Sequence, residues 1–223
     1  MKKYFEILRR CPLFLGFSDG ELSAVSDCLG AAVSSFARGE TVFTVGEKAE
    51  LVGIVLRGEV RIERVDYYGT RTVIGTVGAG ELFGESFACA GVPLPIDAVA
   101  AADAEILLVK CRRLLTSCTN ACDFHRRLIY NLMQILAAKN LAFHRKLEIT
   151  SKRTTREKLL AYLLSEAERQ RNASFTIPFD RQTLADYLAV DRSGLSAEIG
   201  KLVREGILET RKNEFTLLKN TLS

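Results

Sequence analysis

Residues 180–202, DRQTLADYLAVDRSGLSAEIGKL, decide how this chain is read. Leu184 and Leu188 stand four apart with Ala185 beside them, the apolar stripe of a short helix. Asp180, just ahead of it, can cap that helix by accepting a free backbone N–H. Val190 closes a tight turn into the core, and Asp191 can cap a second helix. Leu195, Ile199 and Leu202 repeat on one face of the second helix, leaving Arg192, Ser193, Ser196 and Ala197 on the other. Gly206 follows where a helix stop needs a left-handed residue. Ile207-Leu208 and Phe215-Thr216-Leu217 then flank a polar Arg211-Lys212-Asn213 tip, the pattern of a β-hairpin. Cap, turn, stop and hairpin together predict a winged helix-turn-helix. Such a unit sets its second helix in the DNA major groove, where base edges can be read.

Upstream, Thr154-x-x-Glu157 is a capping box that predicts a helix to about residue 169. Residues 172–174 end it, and 175–179 (FTIPF) read as a strand leading into the motif. Residues 121–148 contain neither Gly nor Pro, and Leu128, Ile129, Leu132, Ile135, Leu136, Ala142 and Phe143 give a broad apolar face. A helix of that length exceeds what a small β-domain can cover. It either packs on a second copy of itself or stays wholly within its own chain. Residues 149–151 read as a hinge.

From residue 31 to 110 the pattern changes to short β-rich runs punctuated by Gly turns every 7–12 residues, with clear alternation in VRIERV (60–65). Regular short strands with Gly turns predict an all-β barrel or roll. Ahead of it, MKKYFEILRR reads as a small amphipathic helix with Tyr4, Phe5 and Leu8 inward, and residues 19–29 as a helix opened by Ser18-Asp19.

The 223 residues are 48% hydrophobic, enough for two modest domains. No run of 18 apolar residues predicts a membrane span, and the N-terminus is too short and charged for a secretory signal, so the expected location is cytoplasmic. Residues 1–144 carry sixteen basic and sixteen acidic side chains, so the net charge of +4 lies in residues 145–223, where phosphate contacts would want it. Cys11, Cys28, Cys89, Cys111, Cys118 and Cys122 form no CxxC pair. Cys118 and Cys122 would share a helix face near Cys111, which leaves a metal or redox site open beside the plainer reading of small buried residues. His125 and His144, the only histidines, read as solvated positions on the long helix. With so little acid–base material, no HExxH and no phosphate-cradling loop, the chain reads as no enzyme.

A β-roll, a long helix and a winged helix-turn-helix, in that order, resemble the cyclic-AMP receptor protein/FNR family of bacterial transcription regulators. Two motifs carry the resemblance: VFTVGEKAELVGIVLRGEV (42–60), with Gly46-Glu47, Ala49 and Gly58 in place and Gly53 breaking a usually aliphatic run, and the segment from Arg181-Gln182 through Arg192-Ser193 to Gly206. The implied fold is α+β: an N-terminal jelly-roll (cyclic-nucleotide-binding-like) sensing domain over 1–118, a dimerisation helix over 119–148 and a winged helix-turn-helix over 149–223. The implied partners are a second copy of the chain, double-stranded DNA with a palindromic operator, and RNA polymerase.

In the cyclic-nucleotide branch a Gly-Glu pair contacts the ribose and an Arg-Ser pair about ten residues later neutralises the phosphate. Phe83-Gly84-Glu85-Ser86 resembles the first half, but residues 94–99 (LPIDAV) offer no Arg or Lys, and Asp97 stands near the family's Ser. A buried phosphodiester needs a cationic or N–H-rich partner, so cyclic AMP is not the expected effector. The iron–sulfur branch's N-terminal cysteine cluster and the haem branch's roll histidine are not matched. No cofactor is identified. Two readings stay open: an unidentified small molecule in an apolar pocket lined by Phe83, Phe87, Val99, Leu128 and Leu132, or a roll kept as scaffold.

On the DNA side the resemblance places Arg192, Ser193 and Ala197 at base-facing positions, where well-known members carry Arg, Glu and Arg. Gly194 stands where others hold a phosphate with Thr. Ser196, Lys201, Arg211 and Lys212 are phosphate candidates, with Arg181 in the same DNA-facing set. The alternative is a regulatory nucleotide-binding-like module that acts through protein partners rather than DNA.

Overall fold

A computed structural model describes residues 1–65, 67, 71–116 and 123–218. Packing divides them into two compact units, Met1–Ala138 and Lys139–Ser223.

The first unit opens with α1 (Phe5–Arg10) and α2 (Asp19–Leu29). Tyr4, Phe5 and Leu8 are buried, as the amphipathic pattern requires. Ser18 starts α2 through a capping box: its N–H donates to Glu21 at 2.9 Å and its hydroxyl accepts the Glu21 N–H at 3.4 Å. The roll follows as β1 (Ala32–Phe36), β2 (Thr41–Phe43), β3 (Leu51–Arg57), β4 (Val60–Val65), β5 (Arg71–Val77) and β6 (Leu82–Phe83), then α3 (Glu85–Ala90), β7 (Asp97–Ala100), β8 (Ala104–Lys110) and α4 (Cys111–Leu115). Its two antiparallel sheets are ordered β1-β8-β3-β6 and β2-β7-β4-β5.

Strand β3 is a continuous apolar run because both its faces are covered. Val52, Ile54 and Leu56 face a core shared with Leu107 and Val109 of β8, α1, α2, α4 and the start of the long helix. Val55 faces the interior between the sheets, with Ile106, Val60, Ala98, Ala100, Phe43 and Phe83. Gly53 alternates to that interior side and pairs with Phe83 across the ladder. A Cβ on Gly53 would stand 2.3 Å from Phe83 Cζ, so the Phe83 ring occupies the space a side chain would fill.

The long helix α5 (Asp123–Thr150) begins in the first unit and ends in the second. Leu128 and Leu132 are buried against the helical side of the β3 sheet, together with Leu13, Phe14 and Leu22. The histidine expectation is corrected at one position: His125 is only 2% exposed, because it stands one turn ahead of Leu128 on the same face. His144 is exposed, as expected. Residues 137–148 are exposed without exception, Leu141, Phe143 and Leu147 among them.

The second unit continues with α6 (Thr155–Gln170), β9 (Ser174–Thr176), α7 (Arg181–Leu188), α8 (Arg192–Arg204), β10 (Leu208–Arg211) and β11 (Glu214–Leu217). The expected hinge at 149–151 is instead anchored: α5 runs through Thr150, and Ile149 is buried in this unit's core. The capping box forms, with Thr154 Oγ1 accepting the Glu157 N–H at 3.1 Å and the Thr154 N–H donating to Glu157 at 3.0 Å. The strand expected over 175–179 is shorter, ending at Thr176 ahead of Pro178. β9 joins the wing in a sheet ordered β10-β11-β9. Leu184, Leu188, Leu195 and Leu202 are fully buried in the shared core. Truncating any one of them to Ala would cost about 2–5 kcal/mol.

Candidate nucleic-acid interface

The helix pair is positioned from its caps upward. Asp180 Oδ1 accepts the Thr183 N–H at 2.7 Å and starts α7, and Asp191 Oδ2 accepts the Gly194 N–H at 2.8 Å and starts α8. Both carboxyls are held below the usual carboxylate range. For Asp180 the leading cause is the Thr183 N–H. For Asp191 it is the Ser193 hydroxyl, then the Gly194 N–H. Between the helices, Ala189 takes a left-handed conformation at φ 50°. Lys158 Nζ donates to its carbonyl at 3.2 Å, which satisfies one acceptor at the end of α7. Gly206 is left-handed at φ 70°, as the helix stop predicts.

With Leu195, Ile199 and Leu202 buried, α8 exposes Arg192, Ser193, Ser196 and Ala197. The Ser193 hydroxyl donates to Asp191, so this side chain is partly committed to the helix start. Lys201 is exposed and paired with Glu198 at 3.1 Å. Arg156 of α6 binds Glu198 at 3.4 Å and Glu205 at 3.0 Å, holding the middle and the end of α8.

The wing is a tight hairpin in which Arg211 pairs with Glu214 across Lys212-Asn213. Lys212 is left-handed at φ 55°. Arg211 and Lys212 are exposed at the tip. Asn213 fixes the tip to the chain entering α7: its carbonyl accepts the Ile177 N–H at 2.9 Å, and its Nδ2 donates to the Ile177 carbonyl at 3.1 Å. Arg181 is half-buried rather than free. Its Nη2 donates to Thr210 at 3.0 Å and its guanidinium lies 4.9 Å from the Phe215 ring centroid. Burial lowers its pKa below the ordinary arginine value. Arg181 and Lys212 nevertheless line one open cleft of about 520 Å³ with Phe179 and Asn213. Sequence reasoning missed Thr210, Lys158 and Arg156. Only the polar residue inside a strand-like run at Thr210 hinted at one of them.

The expected effector pocket is not assembled. Phe83, with Phe87 packed beside it, belongs to the core between the sheets, whereas Leu128 and Leu132 lie in the core on the sheet's other side. The Phe83 ring packs at 5.0 Å on Phe43. Val99 faces away from that interior, since its neighbours Ala98 and Ala100 point into it. Gly84 is left-handed at φ 78° and starts α3. Glu85 is buried and accepts the Ser86 hydroxyl at 3.2 Å. Asp97 accepts the Val45 N–H at 2.8 Å and so secures the loop after β2. Among the described residues no group of His, Cys, Asp and Glu is arranged to hold a metal ion. Cys118 and Cys122 lie outside the described residues.

The cyclic nucleotide-binding domain family matches residues 33–119, and the Crp-like helix-turn-helix domain family matches residues 157–220. The chain belongs to the cyclic-AMP receptor protein/FNR family. It is 32% identical over 80 residues to the CRP-like cAMP-activated global transcriptional regulator of Mycobacterium tuberculosis. That match covers 36% of this chain and spans about a third, 35%, of the relative. The fold of the family extends over nearly all of the chain. The catabolite activator protein of Thermus thermophilus superposes with a TM-score of 0.50 at 23% identity, covering 95% of both chains. The c-di-GMP-responsive global regulator CLP of Xanthomonas campestris superposes with a TM-score of 0.56 at 18% identity, covering 87% of this chain and 97% of its own. No helix among the described residues is long and apolar enough to cross a membrane.

Proposed function

We propose that this chain is a homodimeric, sequence-specific regulator of transcription whose grip on double-stranded DNA is set by an effector acting at the β-roll, and that the effector is not cyclic AMP. The observation that carries the DNA reading is helix α8: capped at Asp191, seated by Leu195, Ile199 and Leu202, and presenting Arg192, Ser193, Ser196 and Ala197 outward. Arg192 is the candidate for a bidentate guanine contact, and Ala197 for a thymine methyl. Lys201, Arg211 and Lys212 are the candidates for phosphates, with Arg181 bracing the wing at the cleft they share. RNA polymerase and a cytoplasmic setting follow from the same reading, as does a chain without catalytic chemistry. In this reading residues 1–118 sense, 119–148 pair and 149–223 bind DNA.

The dimer reading rests on residues 137–148, whose apolar side chains Leu141, Phe143 and Leu147 stand exposed among the described residues. Two paired helices would place two α8 helices on half-sites about one DNA turn apart. Against cyclic AMP stand the missing cation in residues 94–99, the engagement of Asp97 by Val45, and the Phe83 ring over Gly53.

Selection of bound sequences from a random DNA pool at stated salt tests the function. A two-fold symmetric motif is expected. Salt-sensitive binding with no enriched motif, with and without added cellular small molecules, would overturn sequence specificity. Heat released on titrating micromolar cyclic AMP would overturn the effector reading.

A further inference from the structure

Cys89 Sγ and Cys111 Sγ lie 3.4 Å apart, although 22 residues separate them in sequence. Cys89 stands on α3, half-buried, and Cys111 is the first residue of α4, 2% exposed, with its N–H fixed to the Glu50 carbonyl at 2.9 Å. Both pack against the same core, next to Ala88. Closing the gap to the roughly 2.05 Å of a disulfide asks for only about 1.4 Å of approach. We propose that Cys89 and Cys111 form a dithiol that a peroxide oxidises to an intramolecular disulfide, tying α3 to α4.

The two sulfurs have different parts. Burial and the bond to Cys89 push the Cys111 thiol up to about 12, so it keeps its proton. Cys89 is the less buried residue of the two. Its sulfur attacks one peroxide oxygen, the O–O bond breaks, and the departing hydroxide takes the Cys89 proton, leaving a sulfenic acid and one water. The Cys111 sulfur then attacks the Cys89 sulfur, the S–O bond breaks, and the departing hydroxide takes the Cys111 proton as a second water. Two thiols and one peroxide yield one disulfide and two waters. The other described cysteines are placed differently: Cys11 is fully buried with its thiol raised to about 11 by burial, and Cys28 sits on α2. The bond would fix α3, which carries Glu85 and Ser86, to α4.

The test uses the full chain exposed to a few equivalents of hydrogen peroxide, blocked with N-ethylmaleimide and digested with trypsin, which cuts at Lys110 between the two cysteines. The expected product is the peptide holding Cys89 linked to the one holding Cys111, absent before peroxide and lost after dithiothreitol. In Cys111→Ala, Cys89 should instead be trapped by dimedone as the sulfenic acid. The proposal is overturned if Cys89 is recovered unlinked, whether alkylated or as sulfinic or sulfonic acid, or linked to a different cysteine. The mapping of the unsubstituted chain decides this even if the variant does not fold.

Discussion

The close approach of Gly53 and Phe83 gives a sharp stability prediction. Adding a methyl in Gly53→Ala places Cβ 2.3, 2.4 and 2.9 Å from three atoms of the Phe83 ring, where 3.4 Å is the near edge of ordinary contact. The ring would have to retreat by more than an ångström. It is 3% exposed and already against Phe43, so it has nowhere to go. Overpacking of this kind costs about 1–3 kcal/mol. Removing a strand glycine returns about 0.5–1 kcal/mol of backbone entropy. The net loss is therefore about 1–2 kcal/mol. With a denaturant slope near ~2 kcal/mol per molar urea, the midpoint of the roll should fall by about 0.5–1 M. Hydrogen exchange at β3 and β6 amides assigns that midpoint to the roll rather than to the second unit. Phe83→Leu lacks all three clashing atoms, so in that background Gly53→Ala should be neutral or stabilising, a coupling of about 1–3 kcal/mol. Equal losses in both backgrounds, or no loss in the first, would show that Phe83 does not occupy the Gly53 space.

Other expectations concern the second unit and the long helix. Arg192→Ala should weaken binding to a selected site by about 1–3 kcal/mol and leave random DNA nearly unaffected. Equal losses in a fluorescence-anisotropy titration would make Arg192 a phosphate contact. Leu141→Glu with Phe143→Glu should turn a dimer into a monomer in sedimentation equilibrium, since both side chains stand exposed at 64% and 65%. An unchanged mass would place the partner contact elsewhere. Ala189→Gly should raise the melting temperature: left-handed alanine costs about 1–2 kcal/mol, more than the ~0.5–1 kcal/mol of entropy a glycine loses on folding. A lower melting temperature would deny the left-handed turn. Glu157, Asp180 and Asp191 all have carboxyls held low by N–H or hydroxyl donors at helix starts, so their contribution is present above their unfolded pKa near ~4 and lost as pH falls through the lower folded value. Melting temperature should drop below about pH 4.5, and Asp180→Asn with Asp191→Asn should flatten the drop.

The second unit was legible because its signals are local. Asp180, Asp191, Thr154 and Gly206 each act within a few residues, and each cap or stop forms as expected. The roll's strands were legible from alternation and glycine spacing. What escaped were contacts between residues far apart in sequence. Nothing local says that Gly53 yields its space to Phe83, that Cys89 meets Cys111, or that Arg181 spends its guanidinium on Thr210 and Phe215. His125 and the expected pocket were misplaced for a related reason. Periodicity tells which side of α5 is apolar, but not that this side meets the outer face of the β3 sheet rather than the roll's interior.

The two ion pairs from Arg156 to Glu198 and Glu205 bear on how a salt titration would be interpreted. Added electrolyte makes the release of counterions condensed on DNA less favourable and, over the same range, screens the charges that steady α8. The pair between Lys201 and Glu198, which Glu198 shares with Arg156, is weakened by the same screening. The slope of log affinity against log salt thus combines cations bound by DNA with cations bound by the protein's own carboxylates. A phosphate count taken from that slope needs the Glu198→Gln slope beside it as a blank.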